Sequence, residues 1–405
     1  MPLGIYISIP FCQSKCSYCN FASDVFSRSR MAGYVSRLTS DIEAAADRAL
    51  AHNLHFHPQA DTVYLGGGTP STLDPGSFAD VFRKLRQNVD VLPDAEITVE
   101  CAPGTLSDAM FETFRQCGVN RISFGAQSFI DKEISSVGRL HSREQTLADI
   151  ARARAGGITN INLDLIAGLP YQTAASWRES VARLVDTGVP HASVYILEVD
   201  EDSRLGRELI AGGNRYHAHH VPDGDLCADL YVDACETLRA AGLEQYEISN
   251  FARDGCMSKH NTKYWERRPY LGFGLDAHSM LLRLGGPEAV RFAAPDDLNQ
   301  YLESVSGETT IVDRRQAMEE CFFLGLRMNR GVDLRVLAGE FGEPSVASFR
   351  ETIAALIESG LLSRLGERLA LTDRGRLLSN EVFSRFLADP PRTESSASTT
   401  NARTA

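Results

Sequence analysis

Six short runs suited to β-strands alternate with helical segments along the first half of the 405-residue chain. They are "IYISI" (5–9), "TVYLG" (62–66), "EITVEC" (96–101), "RISFGAQ" (121–127), "NINLDLI" (160–166) and "ASVYILEV" (192–199). The intervening segments carry helical periodicity, as in residues 31–50 and in "SREQTLADIARARAGG", where Ser142 stands as an N-cap. Six β-α units in series dictate a parallel sheet, because parallel neighbours need a crossover connection. That sheet is either open and doubly wound or part of a barrel.

The faces of the strands decide between them. Residues two apart in a strand share a face. Tyr6 and Ser8 oppose Ile5, Ile7 and Ile9; Glu96, Thr98 and Glu100 oppose Ile97, Val99 and Cys101. Arg121, Ser123 and Gln127 oppose Ile122, Phe124 and Ala126, and Asn160, Asn162 and Asp164 oppose Ile161, Leu163 and Leu165. A parallel sheet covered on both sides is apolar on both. One polar face repeated strand after strand predicts a cavity inside a partly open barrel. The predicted architecture is α/β, a partial (β/α)6 barrel followed by a mostly helical, winged-helix-like domain.

The later sequence sets the boundaries. The barrel is expected over residues 1–240, a capping region over 241–304, and the winged-helix-like domain over 305–388, which reads helix, short hairpin, helix. The Ser/Thr-rich end, 389–405, has the composition of a disordered tail. Net charge is −12 at an isoelectric point near 5.4, and the C-terminal module lacks a basic recognition helix, which argues against nucleic acid as a partner. No apolar run reaches membrane-spanning length and no signal pattern opens the chain, so a cytoplasmic protein is expected, with peripheral membrane association left open. Nine unevenly spread cysteines make a poor disulfide framework.

Three of those cysteines stand together. "YISIPFCQSKCSYCNF" places Cys12, Cys16 and Cys19 in a C-x3-C-x2-C pattern just beyond the first strand, with Pro10 ending it. A structural zinc site draws four ligands, usually as two pairs, and no second pair follows; the next thiol, Cys101, is on the apolar strand face. An iron–sulfur cluster held by three thiolates, with one iron left open, is the reading that remains. The loop follows the C-terminal end of a strand, where barrels carry their functional loops. "YLGGGTPS" ends the second strand with Gly66, Gly67, Gly68 and Thr69, a run that permits close backbone approach but lacks the lysine of a phosphate-cradling loop.

C-x3-C-x2-C after a first strand, with the aromatic Tyr18 before its last cysteine, resembles the radical S-adenosylmethionine (SAM) superfamily. "YISIPFC", "GGGTPS", "VECAPGT", "RISFGAQSF", "VGRLH", "NLDLIAGLP" and "YEISNFA" resemble, in order and spacing, the anaerobic coproporphyrinogen III oxidase-like family over nearly the whole chain. The resemblance implies a [4Fe–4S] cluster on Cys12, Cys16 and Cys19, with SAM on the open iron. SAM contacts would be Tyr6, Gly67, Gly68, Thr69, Glu100, Gln127, Arg139 and Asp164. The bland alternative makes Glu100 and Asp164 salt-bridge partners of Arg121 or Arg139.

Two departures separate this chain from the oxidases of that family. They resemble C-x3-C-x2-C-x-C, whereas Phe21 stands here at the fourth cysteine's place, and they carry a substantial segment before a loop that begins here at residue 12. Both point to the family's heme-chaperone branch. "SKHNTKYW" (258–265) matches that branch's heme-associated H-N-x-x-Y-W string, which implies heme contacts at His260, Tyr264 and Trp265. Imidazole is a normal axial ligand and the aromatic rings could stack on a porphyrin. The implied cofactors are a [4Fe–4S] cluster, SAM and heme. The implied partners are heme-accepting apoproteins, respiratory ones among them, and an electron donor if SAM is cleaved. The alternative is a SAM-dependent radical enzyme acting on a tetrapyrrole, such as oxygen-independent coproporphyrinogen III oxidase. A second histidine run, "RYHAHH" (215–220), reads as a solvent-facing loop with weak metal affinity at most.

Overall fold

The computed structural model describes residues 1–387 apart from 26, 55, 199 and 306; the tail 389–405 lies outside the described residues. The six expected strands form as β1 (Leu3–Ile9), β2 (Gln59–Gly67), β3 (Asp90–Cys101), β4 (Arg121–Gln127), β5 (Asn160–Ala167) and β6 (His191–Ile196). They pair in parallel in the order 1-2-3-4-5-6, without the reversal of a doubly wound sheet. That sequential order is the wall of a partial barrel.

Local chemistry explains several boundaries. Ser142 caps the helix Arg143–Ala155 and forms a capping box with Gln145. Gly118 and Gly188 close the helices Asp108–Cys117 and Ala174–Thr187 at φ values of 80° and 64°, where a side chain would be strained. The segment read as one helix over 31–50 is two, Arg28–Glu43 and Ala45–Ala51, meeting at Ala44. Ile5, Ile7, Ile122, Ile161 and Leu163 are fully buried on the helix-facing side, with Trp177 held by a 2.7 Å bond from its indole N–H to the Leu230 carbonyl.

The segment 241–304, expected to cap the barrel, instead supplies strands to both ends of the same sheet. On one end β8 (Asn250–Ala252) pairs antiparallel with β6, and β7 (Glu244–Gln245) pairs antiparallel with β8. On the other, β9 (Tyr270–Phe273) pairs in parallel with β1, and β10 (His278–Leu282), β11 (Ala289–Ala293) and β12 (Glu308–Val312) continue antiparallel, giving twelve strands. β12 therefore belongs to the sheet although it follows the boundary expected near 305. Pairing an edge satisfies its free N–H and C=O groups, which a cap would leave exposed.

The C-terminal domain has the winged-helix layout. Helices Arg314–Gly325, Leu334–Phe341 and Arg350–Glu358 accompany a three-stranded sheet of β13 (Val332–Asp333), β14 (Leu362–Leu365) and β15 (Arg368–Leu371). Its core, with Phe322 stacked on Phe386 at 4.7 Å, is continuous with Met280 and Ala289 of the large sheet. Arg267 and Glu320, both nearly buried, bond at 2.6 Å across this junction. No described helix is long and apolar enough to cross a membrane.

Candidate cluster and SAM site

The C-terminal ends of the parallel strands open into a cavity of about 770 Å³, within the range of small-molecule sites. Cys12, Cys16, Cys19, Gly67, Gly68, Thr69, Glu100, Gln127, Arg139 and Asp164 all line it. Ten of the fourteen site residues expected from the sequence thus meet in one place. Tyr6, His260, Tyr264 and Trp265 are not part of the lining.

The cysteine loop is tied on three sides. The Cys12 N–H donates to the Asp24 carbonyl at 3.1 Å, the Ser17 N–H to Val137 at 3.0 Å, and the Ser14 hydroxyl to Gly138 at 2.9 Å. The Tyr18 hydroxyl accepts from Arg139 at 3.3 Å, joining this loop to the loop after β4. Thr69 lies 3.7 Å from the Cys12 sulfur and Ser23 3.8 Å from that of Cys19. Burial raises the Cys12 thiol above its usual range. Cys101 also borders the cavity, but its side chain is buried in the apolar core and its thiol is bonded to Ser71.

The glycine run has a structural cause. A Cβ on Gly68 would stand 2.7 Å from the Ile9 carbonyl oxygen and 2.8 Å from the Phe11 backbone, so glycine lets the cysteine loop cross the end of β2. A Cβ on Gly66 would meet the Glu100 carboxyl at 2.9 Å. Tyr6 sits behind the run, its hydroxyl 3.3 Å from a Cβ built on Gly67, and stacks on Tyr64.

The polar strand faces divide into two layers. Near the strands' N-terminal ends they fill with hydrogen bonds: His191 Nδ1 with Asn162 at 2.6 Å, Asn162 with Ser123 at 2.7 Å, and His191 Nε2 with the Tyr246 hydroxyl at 2.9 Å. Of that layer only Ser123 reaches the cavity, which is walled by the upper layer. There Glu100 accepts from Tyr64 at 2.8 Å and Asp164 from Asn162 at 2.7 Å. Burial, opposed by the Tyr64 bond and reinforced by Asp164, pushes the Glu100 carboxyl up to about 7. Gln127 Oε1 and Arg139 Nε are buried without partners, polar valences held ready at the cavity.

The H-N-x-x-Y-W residues lie at the other end of the barrel. The helix Lys259–Trp265 is capped by Ser258, and its first N–H groups donate to the buried Glu96 carboxylate at 3.1 Å each. His260 is 1% exposed; its Nδ1 meets Thr62 at 2.9 Å, its Nε2 meets the Tyr264 hydroxyl at 2.8 Å, and its ring stacks on Tyr64. Burial drives its pKa down to about 3. Both ring nitrogens are therefore occupied within the chain, and His260 plugs the barrel's N-terminal mouth, away from the cavity. His260→Ala is expected to destabilise the fold by about 2–4 kcal/mol, from a cavity plus stranded polar groups, seen as a lower urea midpoint. The 215–220 run forms 3-10 turns, with His217 bonded to Tyr171 at 2.9 Å. Among the described residues no group of His, Cys, Asp and Glu side chains is gathered to hold a single metal ion.

Comparison with known proteins agrees with the geometry. Residues 6–184 match the Radical SAM superfamily and residues 312–378 the HemN C-terminal domain. The chain is a radical SAM protein, a class that implies a [4Fe–4S] cluster and SAM. It is 32% identical to the heme chaperone HemW of Bacillus subtilis over 95% of this chain and 99% of the relative. It is also 32% identical to that of Mycobacterium tuberculosis, over 95% of each. The chain belongs to the HemW family. The solved structure of coproporphyrinogen III oxidase (HemN) from Escherichia coli superposes with a TM-score of 0.79 at 22% identity, covering 95% of this chain and 90% of that one, a likeness of fold. Three thiols on one tied loop, with the unpartnered Gln127 and Arg139 atoms across the cavity, fit the cluster and SAM.

Beyond the expected residues, the cavity is lined by Tyr195, Ile196, Arg327, Arg376 and Asn380. Nothing local in the sequence marks the two arginines, which read as surface charge on a helical module. Their position follows only from the way the C-terminal domain meets the segment around Glu247.

Proposed function

We propose that the chain binds heme within this cavity and passes it to acceptor proteins, carrying a [4Fe–4S] cluster on Cys12, Cys16 and Cys19 with SAM beside it. The observation that carries this reading is the apolar, open side of the cavity. Phe21 is 64% exposed and Leu140 70%, and Tyr195, Ile196 and Leu377 are exposed alongside them. Apolar side chains gathered at one mouth mark a binding surface, whereas scattered ones do not. A flat, apolar macrocycle fits such a lining, and an open mouth permits release to another protein. The family membership and the name of the relatives support the same reading.

A cluster with one free iron supplies a point of attachment for the amino and carboxylate groups of SAM. Glu100 and Asp164 would accept hydrogen bonds from the ammonium and ribose hydroxyls, Gln127 Oε1 would accept another, and Arg139 Nε would donate. Gly67 and Gly68 keep the wall low. Heme acceptors, respiratory apoproteins among them, would dock at the Phe21 and Leu140 side.

The reading is tested by loading the protein with hemin and adding an apo-hemoprotein under anaerobic conditions. Appearance of the acceptor's absorption spectrum faster than from free hemin is expected. Retention of heme, together with conversion of coproporphyrinogen and release of 5′-deoxyadenosine, would favour the radical enzyme instead.

A further inference from the structure

The C-terminal domain places two arginines in the cavity wall. Arg327 precedes Met328, which bridges to Glu247, and Arg376 comes from the short helix Asp373–Leu377. They approach the turn at residues 247–249 from two sides: Arg327 lies 3.8 Å from Glu247, while Arg376 interacts with Tyr231, whose hydroxyl donates to the Ile248 carbonyl. Ile248 and Ser249 line the same cavity. Both side chains are mostly buried, 26% and 13% exposed.

Neither guanidinium is fully used within the chain. Arg327 Nε is buried without a partner; Glu247 bonds Ser249 and Asn250 through Oε1, and its Oε2, 3.8 Å from the guanidinium, is beyond hydrogen-bond distance and likewise unpartnered. Arg376 bonds Asp373, whose side chain is 88% exposed, and the Leu371 carbonyl at 3.4 Å. Partly buried guanidinium groups facing a cavity are stabilised by an anion, and their planar fork matches carboxylates. The apolar side chains Tyr195, Ile196 and Leu377 share that cavity. The lining thus combines an apolar wall with two cationic points.

We propose that Arg327 and Arg376 form a carboxylate clamp for a planar dicarboxylate ligand, the two propionates of heme, and that Trp265 is the positioning residue for Arg327. This rests on the heme reading above. The Arg327 guanidinium lies over the Trp265 ring at 4.2 Å, a cation–π contact that holds the side chain in place. The last residue of the H-N-x-x-Y-W string thereby reaches the cavity through Arg327, although the string itself does not line it. Without the ring, Arg327 is free to close on Glu247.

Anaerobic absorption titrations of the full-length protein with hemin and with hemin dimethyl ester test the clamp. Wild type should bind hemin roughly tenfold tighter than the ester, since each charged hydrogen bond adds to affinity. Arg327→Gln and Arg376→Gln should erase that preference, and the lysine variants should restore part of it. Trp265→Leu should weaken hemin binding and add nothing in an Arg327→Gln background. Equal wild-type affinity for hemin and ester would overturn the clamp while leaving heme binding intact, as would glutamine variants that keep the preference. Wild type binding neither ligand would overturn the heme reading itself.

Discussion

Cys16→Ser is expected to abolish assembly of the [4Fe–4S] cluster: iron after anaerobic reconstitution should fall from about four per chain to near zero. A serine hydroxyl does not ionise where a thiol does, and the tied loop cannot bring in a substitute. Backbone and side-chain bonds fix it to residues 24, 137 and 138, while Cys101 sits in the core against Ser71. The same loss is expected at Cys12 and Cys19, because no other thiol lines the cavity beside them except the buried Cys101. A complete cluster in Cys16→Ser would show that the ligands lie elsewhere.

The second large effect concerns SAM. Asp164→Ala and Glu100→Ala should each weaken SAM binding to the reconstituted protein by roughly tenfold or more, as expected when a buried carboxylate partner of a cation is removed. The pH dependence is specific to Glu100. Its carboxyl titrates near 7 because of burial, so below that pH it holds a proton that a cationic ligand must displace. SAM affinity should therefore rise with pH up to about 7 and level off above, and Glu100→Gln should flatten the profile. The linked stability has the opposite sense. A carboxyl with a raised folded pKa favours the folded chain fully below its unfolded value, and that contribution is lost as pH rises through 7. The protein without SAM should lose stability across that window, and Glu100→Gln should not. Equilibrium dialysis with labelled SAM and urea titrations at several pH values measure both.

Much of this was legible in the residues because two periodicities coincide. Alternation along β1, β3, β4 and β5 assigned one polar face, and the structure divides that face between a hydrogen-bonded floor and the cavity wall. Glu100, Gln127 and Asp164 stand at strand ends and reach the cavity; Tyr6, Arg121 and Asn162 stand lower and do not. A face can be read from alternation, whereas height along the barrel axis depends on stagger between strands. The edge strands escaped for a different reason. β7, β8, β9 and β13 span two to four residues, too short for any period to register, and exist because a neighbouring edge accepts them. The motif gives the spacing of His260, whereas its placement beside Thr62, Glu96 and Tyr64 depends on strands distant in sequence. Arg327 and Arg376 carry no local signal, since their surroundings come from β6 and the 247–249 turn.

The most direct test of the account is an anaerobic hemin titration of wild type and His260→Gln, followed by absorption spectroscopy. Glutamine keeps hydrogen-bonding partners for Thr62 and Tyr264, so the barrel plug is preserved. The account predicts near-stoichiometric binding with the same Soret band in both proteins, because the heme lies in the cavity, away from His260. A band lost or shifted in His260→Gln, with the fold intact, would make His260 the ligand and contradict the cavity as the site of heme.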